Sequence, residues 1–529
     1  MKFTDKLLFS SLSIMLLPFG AQEIHAANKA KNVLFILVDD LGWMDLGFMG
    51  SKYYETPNID KLADAGMVFT DAYAACQVSS PSRGSIMSGL YPANHGITNW
   101  IGEKSGEDWR EMNRHSKVLP APYEWAISSD FLLLPELLQQ NRFTTFIAGK
   151  WHLGENENEW PEYNGFDINK GGWASGSPKG GYFAPYINPR LENGEDGENL
   201  SMRLANETVD FIDKNGKKPF FAYLAFYAVH GGIETTEENW QYFRDKAEKM
   251  GIAESGYIID RTLPVRQTQD NPVYAGLVKQ MDDAVGVVLD HLEAKGLMDE
   301  TMIVFTSDNG GVSSGDAFST SLLPLRGGKG RQWEGGIRVP LVIKTPEMSS
   351  NSEKCSTPVN GIDFYPTIAK YLDIDIPSDV KLDGVDITPL LDGGKIGERS
   401  LFWHYPHYGN QGGEPSTIVR SGDWKLIYYH EDLRCELYNL AIDISEHEPL
   451  NIQYPEKVEE LKGEILSFLK ETNAKLPVAD MKYNPIEENK VKEGYRTKVI
   501  QFREDERLKM LDKNFKPNDN WWGSKVTID

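Results

Sequence analysis

Ser79 opens the segment Ser79-Ser80-Pro81-Ser82-Arg83, which sets a hydroxyl, a turn and a fixed cation within about one helical turn of each other. A hydroxyl beside a helix N-terminus lies among free backbone N–H groups, where an anion is favoured. Arg83 adds positive charge to the same place. The neighbours predict a short helix, with Ser80 as N-cap, Pro81 in the first helical position, Ile86 and Met87 as its apolar face, and Gly89 as a left-handed C-cap.

Other polar groups follow apolar runs. Residues 32–38 lead into Asp39-Asp40, 143–148 into Gly149-Lys150-Trp151-His152, 220–229 into His230-Gly231-Gly232, and 302–306 into Ser307-Asp308-Asn309-Gly310-Gly311. Such runs suit strands buried on both faces of a parallel sheet, and open α/β sheets bind ligands at the carboxyl ends of their strands. The adjacent carboxylates of Asp39 and Asp40 are hard oxygen donors suited to a divalent cation, although a turn-forming pair fits the same residues. Lys329 adds a cation on the Gly-rich loop before the strand expected at 341–344.

These positions must be held by a scaffold. Amphipathic patterns at 135–140, 202–214 and 274–295, the last stopped by Gly296, alternate with the apolar runs. Alternation of this kind means an α/β fold, a large and mostly parallel sheet flanked by helices. Beyond about residue 395 the pattern changes to short strands at 417–420, 424–429 and 435–439, then a helix at 457–470 and a polar tail from about 475. The expected organisation is a catalytic domain at 27–395, followed at 396–529 by a smaller α+β subdomain with an antiparallel sheet, and the tail.

The 529 residues carry a formal charge of −23, which disfavours nucleic acid and anionic membranes as partners. Positive charge for an anionic substrate must therefore be local. Lys2 and Lys6 before an apolar run, with small residues near Ala26, predict a signal peptide at 1–26 and a periplasmic or secreted protein without stable membrane insertion. Cys76, Cys355 and Cys435 imply no disulfide framework.

Ser79, a small residue, Pro81-Ser82-Arg83 and two apolar residues before Gly89 together resemble the signature of the type I sulfatases of the alkaline-phosphatase superfamily. Gly149-Lys150-Trp151-His152, Ser307-Asp308-Asn309-Gly310, Gly328-Lys329, Trp424-Lys425-Leu426 and Leu437-Tyr438-Asn439-Leu440 extend the resemblance over most of the mature chain. Departures fall at Gln77 and Ser88, which flank the chemistry, and at Arg142-Phe143, at a strand start away from it. Ser79, and not Cys76, occupies the leading position, so the resemblance is to serine-type bacterial carbohydrate sulfatases.

That resemblance implies that an anaerobic-type maturation enzyme oxidises Ser79 to formylglycine (3-oxoalanine). It further implies one Ca2+ ion held by Asp39, Asp40, Asp308, Asn309 and residue 79, with Arg83, Lys150 and Lys329 neutralising the sulfate. His230 with Lys329 would protonate the departing alcohol, and His152 would be the base that frees the sulfate. The implied activity is hydrolysis of O-sulfate esters on a carbohydrate, including galactose or N-acetylgalactosamine sulfates of host or algal glycans. Two alternatives stand beside it: a phosphoryl hydrolase of the same superfamily, and a sulfated-glycan binding protein with Ser79 unconverted.

Trp100, Trp109 and Trp125 lie in an insertion, 97 to about 130, read as a loop beside the site. Trp100, His404 and His407 are candidates for sugar contact, since aromatic and imidazole rings suit stacking and hydroxyl recognition. For the two histidines a domain-interface core is the alternative. His95 is read as structural.

Overall fold

The computed structural model describes residues 31–348 and 353–515. The signal-peptide reading of 1–26 lies outside the described residues. Among these, no helix is long and apolar enough to cross a membrane.

The apolar runs are strands of one eight-stranded sheet. Its members are β1 (Asn32–Val38), β2 (Met67–Phe69), β3 (Thr144–Gly149), β4 (Ile168–Lys170), β5 (Phe220–Ala225), β6 (Thr301–Ser307), β7 (Leu341–Lys344) and β8 (Glu353–Cys355). They lie in the order β8-β2-β7-β6-β1-β5-β3-β4. β1 runs parallel to β6 and β5, and β3 parallel to β5 and β4, whereas β7 is antiparallel to both β6 and β2. The sheet is thus mixed and mostly parallel.

Alternation of side chains along β1 feeds two cores. Leu34, Ile36 and Val38 pack with α2 (Leu200–Asn215) and α3 (Pro272–Ala294), through residues such as Leu204, Phe211, Val278 and Val285. Val33, Phe35 and Leu37 face the other layer, where Ile86 and Met87 of α1 (Ser79–Ser88) meet Leu134, Phe364 and Ile368. Asn199 and Asn271 cap α2 and α3 by accepting from Met202 N, and from Val273 N and Tyr274 N.

Register places the chemistry. Val38 pairs with Ser307, while Leu37 and Gly149 each face Ala225. The four central strands therefore finish level, and Asp39, Asp308, Lys150 and the chain leading to His230 leave the sheet along one edge.

α1 departs from expectation at its start. Its N-cap is Val78 in an extended conformation with no side-chain cap, so Ser80 and Pro81 fall inside the helix. Pro81 is accommodated because its missing N–H is one of the first-turn donors that lack helical partners. Ser82 Oγ fixes the entry turn instead, accepting from Cys76 N at 3.0 Å and donating to Cys76 O at 2.9 Å. Gly89 closes the helix as expected, at φ 69° with its N–H on Ser85 O.

The second sheet is an antiparallel meander of β9 (Ser400–Tyr405), β10 (Ser416–Ser421), β11 (Trp424–Tyr429) and β12 (Cys435–Asn439). Val419, Leu426 and Leu437 on one face receive Val458, Leu461 and Ile465 of α4 (Pro455–Glu471). Trp403, Ile418 and Ile427 on the other face pack against Tyr73, Trp333 and Ile337 of the larger sheet's domain. Lys425, fully buried, joins the two parts through Glu334 at 3.0 Å and Glu446 at 2.8 Å.

The tail, expected only to be polar, is mostly helical. α5 (Pro485–Gly494) and α6 (Ile500–Leu511) carry the chain back to the core of the larger sheet. Met510 and Leu511 enter the main core, and Arg507 pairs with Asp270 at 2.7 Å. One apolar turn at the end of a charged segment is too short a pattern to announce this docking.

Candidate active site

Ser79 Oγ lies 3.2 Å from Asp39 Oδ1 and 3.2 Å from Asn309 Oδ1, and it accepts from Lys150 Nζ at 3.2 Å. The register of β1, β3 and β6 delivers these partners, and the turn before α1 raises Ser79 to meet them. Lys150 Nζ is also 2.7 Å from Asp39 Oδ2. Arg83 donates from Nε to Asp308 Oδ2 at 2.8 Å and from a terminal nitrogen to Lys150 O at 3.0 Å. Lys329 Nζ sits 2.8 Å from Asp40 Oδ2, and Asn309 Nδ2 donates to Asp40 Oδ1 at 2.8 Å.

Asp39, Asp40 and Asp308 are fully buried, with ligand oxygens within 4.8 Å of one another. Burial pushes the Asp39 carboxyl well above the usual range, and Asp308 and Asp40 add to this against the pull of Lys150. For Asp308 burial is outweighed by Arg83 and Lys150, which hold it below that range. For Asp40 burial is likewise outweighed, chiefly by Lys329, and its carboxyl is lowered. Three convergent carboxylates, one of them forced toward its protonated form, make a place where a divalent cation would relieve the repulsion. The donors are carboxylate, amide and hydroxyl oxygens, a hard set that suits a cation such as calcium better than zinc.

His230 Nε2 is 3.8 Å from Asp40 Oδ2, and Nδ1 lies 2.6 Å from the Gly231 carbonyl. The second contact puts the ring proton on Nδ1 and leaves Nε2 facing the pocket with a lone pair. Burial and Lys329 together bring His230 down to about 4, while burial is outweighed at Lys329 by Asp40 and Asp316, so its ammonium keeps its proton. In the free site the transferable proton of this pair is on Lys329.

His152 does not hydrogen-bond Ser79. Its Nδ1 is 3.2 Å from Ser80 Oγ and its Nε2 is 3.2 Å from Ile101 O, while Ile101 N donates to Ser80 Oγ at 3.1 Å. One assignment satisfies all three contacts: Ile101 N–H to Ser80, Ser80 O–H to Nδ1, and Nε2–H to the Ile101 carbonyl. Burial with Lys150 nearby holds the ring neutral. Ser80, expected to cap the helix, therefore orients this imidazole.

Asp316 was not singled out in the sequence. It stands 3.5 Å from Lys329, accepts from Asn410 and Gln411 at 3.1 and 2.8 Å, and has a left-handed backbone at φ 40°. No motif marks it; only its closeness to Asn309 in the chain was a signal. Asp45, which accepts from Tyr274 at 2.6 Å and Thr320 at 2.6 Å behind the Asp pair, was missed for the same reason.

His404 and His407 are 2% and 0% exposed, so neither is free to contact a sugar, and His407 alone fits the domain-interface alternative. His404 is held by Thr417 at 2.8 Å and the Lys475 carbonyl at 3.0 Å, and His407 by Thr98 at 2.9 Å. His407 lies at the seam, where Thr98 comes from the larger sheet's part, whereas His404 is on the face of β9 opposite Trp403 and both of its partners belong to the C-terminal part. Trp100 is partly buried against Cys76, Val78 and Tyr405. His95 is buried, as a structural role requires.

Burial lowers His404 to about 4. Its unfolded counterpart takes up a proton first, so this contribution is complete above about pH 6.5 and is lost as pH falls toward 4. His404→Gln should be less stable than the parent at pH 8, with the difference shrinking by up to about 3 kcal/mol by pH 4. Denaturant unfolding at several pH values measures this, and parallel stability curves would contradict it.

A sulfatase family model matches residues 31–374, and a model of the N-sulphoglucosamine sulphohydrolase C-terminal region matches 329–475. A sulfatase of Formosa agariphila is 31% identical, over 86% of this chain and 90% of that protein. The chain belongs to the sulfatase family. As a sulfatase it is a sulfuric ester hydrolase, and its fold agrees with solved sulfatases. The N-acetylgalactosamine-6-sulfatase of Canis lupus familiaris is 29% identical, over 81% of this chain and 78% of that one. The structure of Ps i-CgsB in complex with k-i-k-neocarrahexaose superposes with a TM-score of 0.68 at 26% identity, covering 91% of this sulfatase and 99% of that chain.

Proposed function

We propose that this sulfatase acts outside the cytoplasm on O-sulfate esters of a carbohydrate, with galactose or N-acetylgalactosamine sulfates of host or algal glycans as the substrate class. The observation that carries the reading is Ser79 Oγ, set between Asp39, Asn309 and Lys150 at 3.2 Å from each. Similarity to an N-acetylgalactosamine-6-sulfatase and to a structure with a bound neocarrahexaose supports the sugar class.

In this proposal Ser79 is the site of oxidation to formylglycine by an anaerobic-type maturation enzyme, and the hydrated aldehyde supplies the nucleophilic hydroxyl and the second hydroxyl needed for its own regeneration. Asp39, Asp40, Asp308 and Asn309 would hold a calcium ion, which supplies positive charge to a sulfate oxygen. Lys150, Arg83 and Lys329 place cations around the remaining charge that develops on the transferring group. Lys329 and His230 handle the proton of the leaving alcohol, and the neutral His152, its Nδ1 lone pair reached through the Ser80 hydroxyl, is the base for sulfate release.

A sugar alkoxide needs that proton and a phenolate does not. His230→Ala should therefore lower kcat/KM for a galactose sulfate by about 10²–10⁴-fold, and for 4-nitrophenyl sulfate far less. Steady-state assays of both substrates check this. Equal losses on the two would remove His230 from leaving-group protonation.

A further inference from the structure

An exposed indole stands on the wall that carries His152. Ile101, whose carbonyl meets His152, is flanked by Trp100, and Tyr123 Oη lies 2.8 Å from the Trp100 carbonyl and 2.9 Å from that of Glu103. Two residues on, Trp125 stacks against Tyr123 with ring centroids 6.1 Å apart and planes at 24°. The wall returns to the site at Ile127, which donates to the carbonyl of Leu153, the neighbour of His152.

The two rings differ in exposure: Tyr123 is 7% exposed and Trp125 is 40% exposed. Tyr123 serves as a buried backing plate, and one indole surface is left to solvent. The support is stiff. Pro120 and Pro122 limit the backbone, Glu124 pairs with Lys475 at 3.1 Å, and Arg114 braces the turn through Glu103 at 2.9 Å. An apolar face backed by a buried ring, on a segment bonded to His152 at Ile101 and to Leu153 at Ile127, suits the C–H face of a pyranose, which offers apolar surface without a charge to neutralise.

Resting on the carbohydrate reading above, we propose that Tyr123 and Trp125 form a stacking subsite for the sugar next to the sulfated residue, so that the preferred substrate is an oligosaccharide. The subsite grips substrate through contact area alone, and sulfate recognition stays with Lys150, Arg83 and Lys329.

The test compares the parent enzyme, Trp125→Ala and Trp125→Phe on a sulfated galactose tetrasaccharide, the matching sulfated monosaccharide and 4-nitrophenyl sulfate. In Trp125→Ala the ratio of tetrasaccharide to aryl kcat/KM should fall about tenfold, carried by KM, and Trp125→Phe should restore most of it. Calorimetric binding of the tetrasaccharide to Ser79→Ala protein should weaken about tenfold when Trp125→Ala is added. Unchanged tetrasaccharide affinity, or an equal loss on all three substrates, overturns the subsite. The carbohydrate-sulfatase reading fails separately, if the parent binds the tetrasaccharide but releases no sulfate from it.

Discussion

Purified Ser79→Ala protein should turn over no sulfate ester, with activity at least about 10⁴-fold below the parent, and should keep the parent's fold. The loss is expected to be this large because the hydroxyl carbon is the only atom that can become the aldehyde at this position. The fold should survive because Ser79 is not the helix cap. Val78 enters the helix by backbone conformation, Ser82 fixes the turn through Cys76, and Gly89 ends it. Removing the hydroxyl costs contacts at 3.2 Å, so stability should change by about 1 kcal/mol or less. Far-ultraviolet circular dichroism with an aryl sulfate assay separates the two effects. Substantial activity in this variant would end the assignment, and Ser79→Cys should be active wherever the maturation enzyme accepts either side chain.

Removal of calcium should lower activity and melting temperature together. Three buried carboxylates lie within 4.8 Å, and without a metal ion their repulsion is met by the cations Lys150, Lys329 and Arg83 and by a few hydrogen bonds. Binding to the folded state alone stabilises by about 2.7 kcal/mol when free calcium is a hundred times its Kd, and EGTA removes that increment. Readdition of calcium should restore both signals. Scanning calorimetry and sulfate release under the same titration check this. Full activity in metal-free protein, or recovery with zinc and not with calcium, would contradict the oxygen-donor reading and favour the phosphoryl-hydrolase alternative.

The positions most readable from sequence are those where one local pattern settles both structure and chemistry. Asn32–Val38 is apolar at six positions after its first residue and is followed at once by two carboxylates, so strand, burial and the candidate ligand pair come from nine adjacent residues. Glycine at 89 and asparagines at 199 and 271 mark helix ends for equally local reasons. Ser80 shows where such reasoning stops. Its sequence context suits a cap, but the insertion brings Ile101 and His152 within reach, and those two partners take its hydroxyl. The strand Ser400–Tyr405 was hidden because its three aromatic residues and His404 also suit sugar recognition; Trp403 instead packs in the seam, donating to the Ala74 carbonyl, and His404 bonds Thr417 and the Lys475 carbonyl. Asp316 depends on Asn410 and Gln411 from the distant C-terminal part, and no local pattern encodes that meeting.

The central claim is that residue 79 is the catalytic aldehyde precursor, and the mass of the proteolytic peptide containing it is the most direct measurement. In active protein made with a serine-type maturation enzyme, that peptide should be lighter than its encoded mass by two hydrogens, and specific activity should rise in proportion to the converted fraction. Full sulfatase activity in a preparation whose peptide carries only unmodified serine would contradict the account.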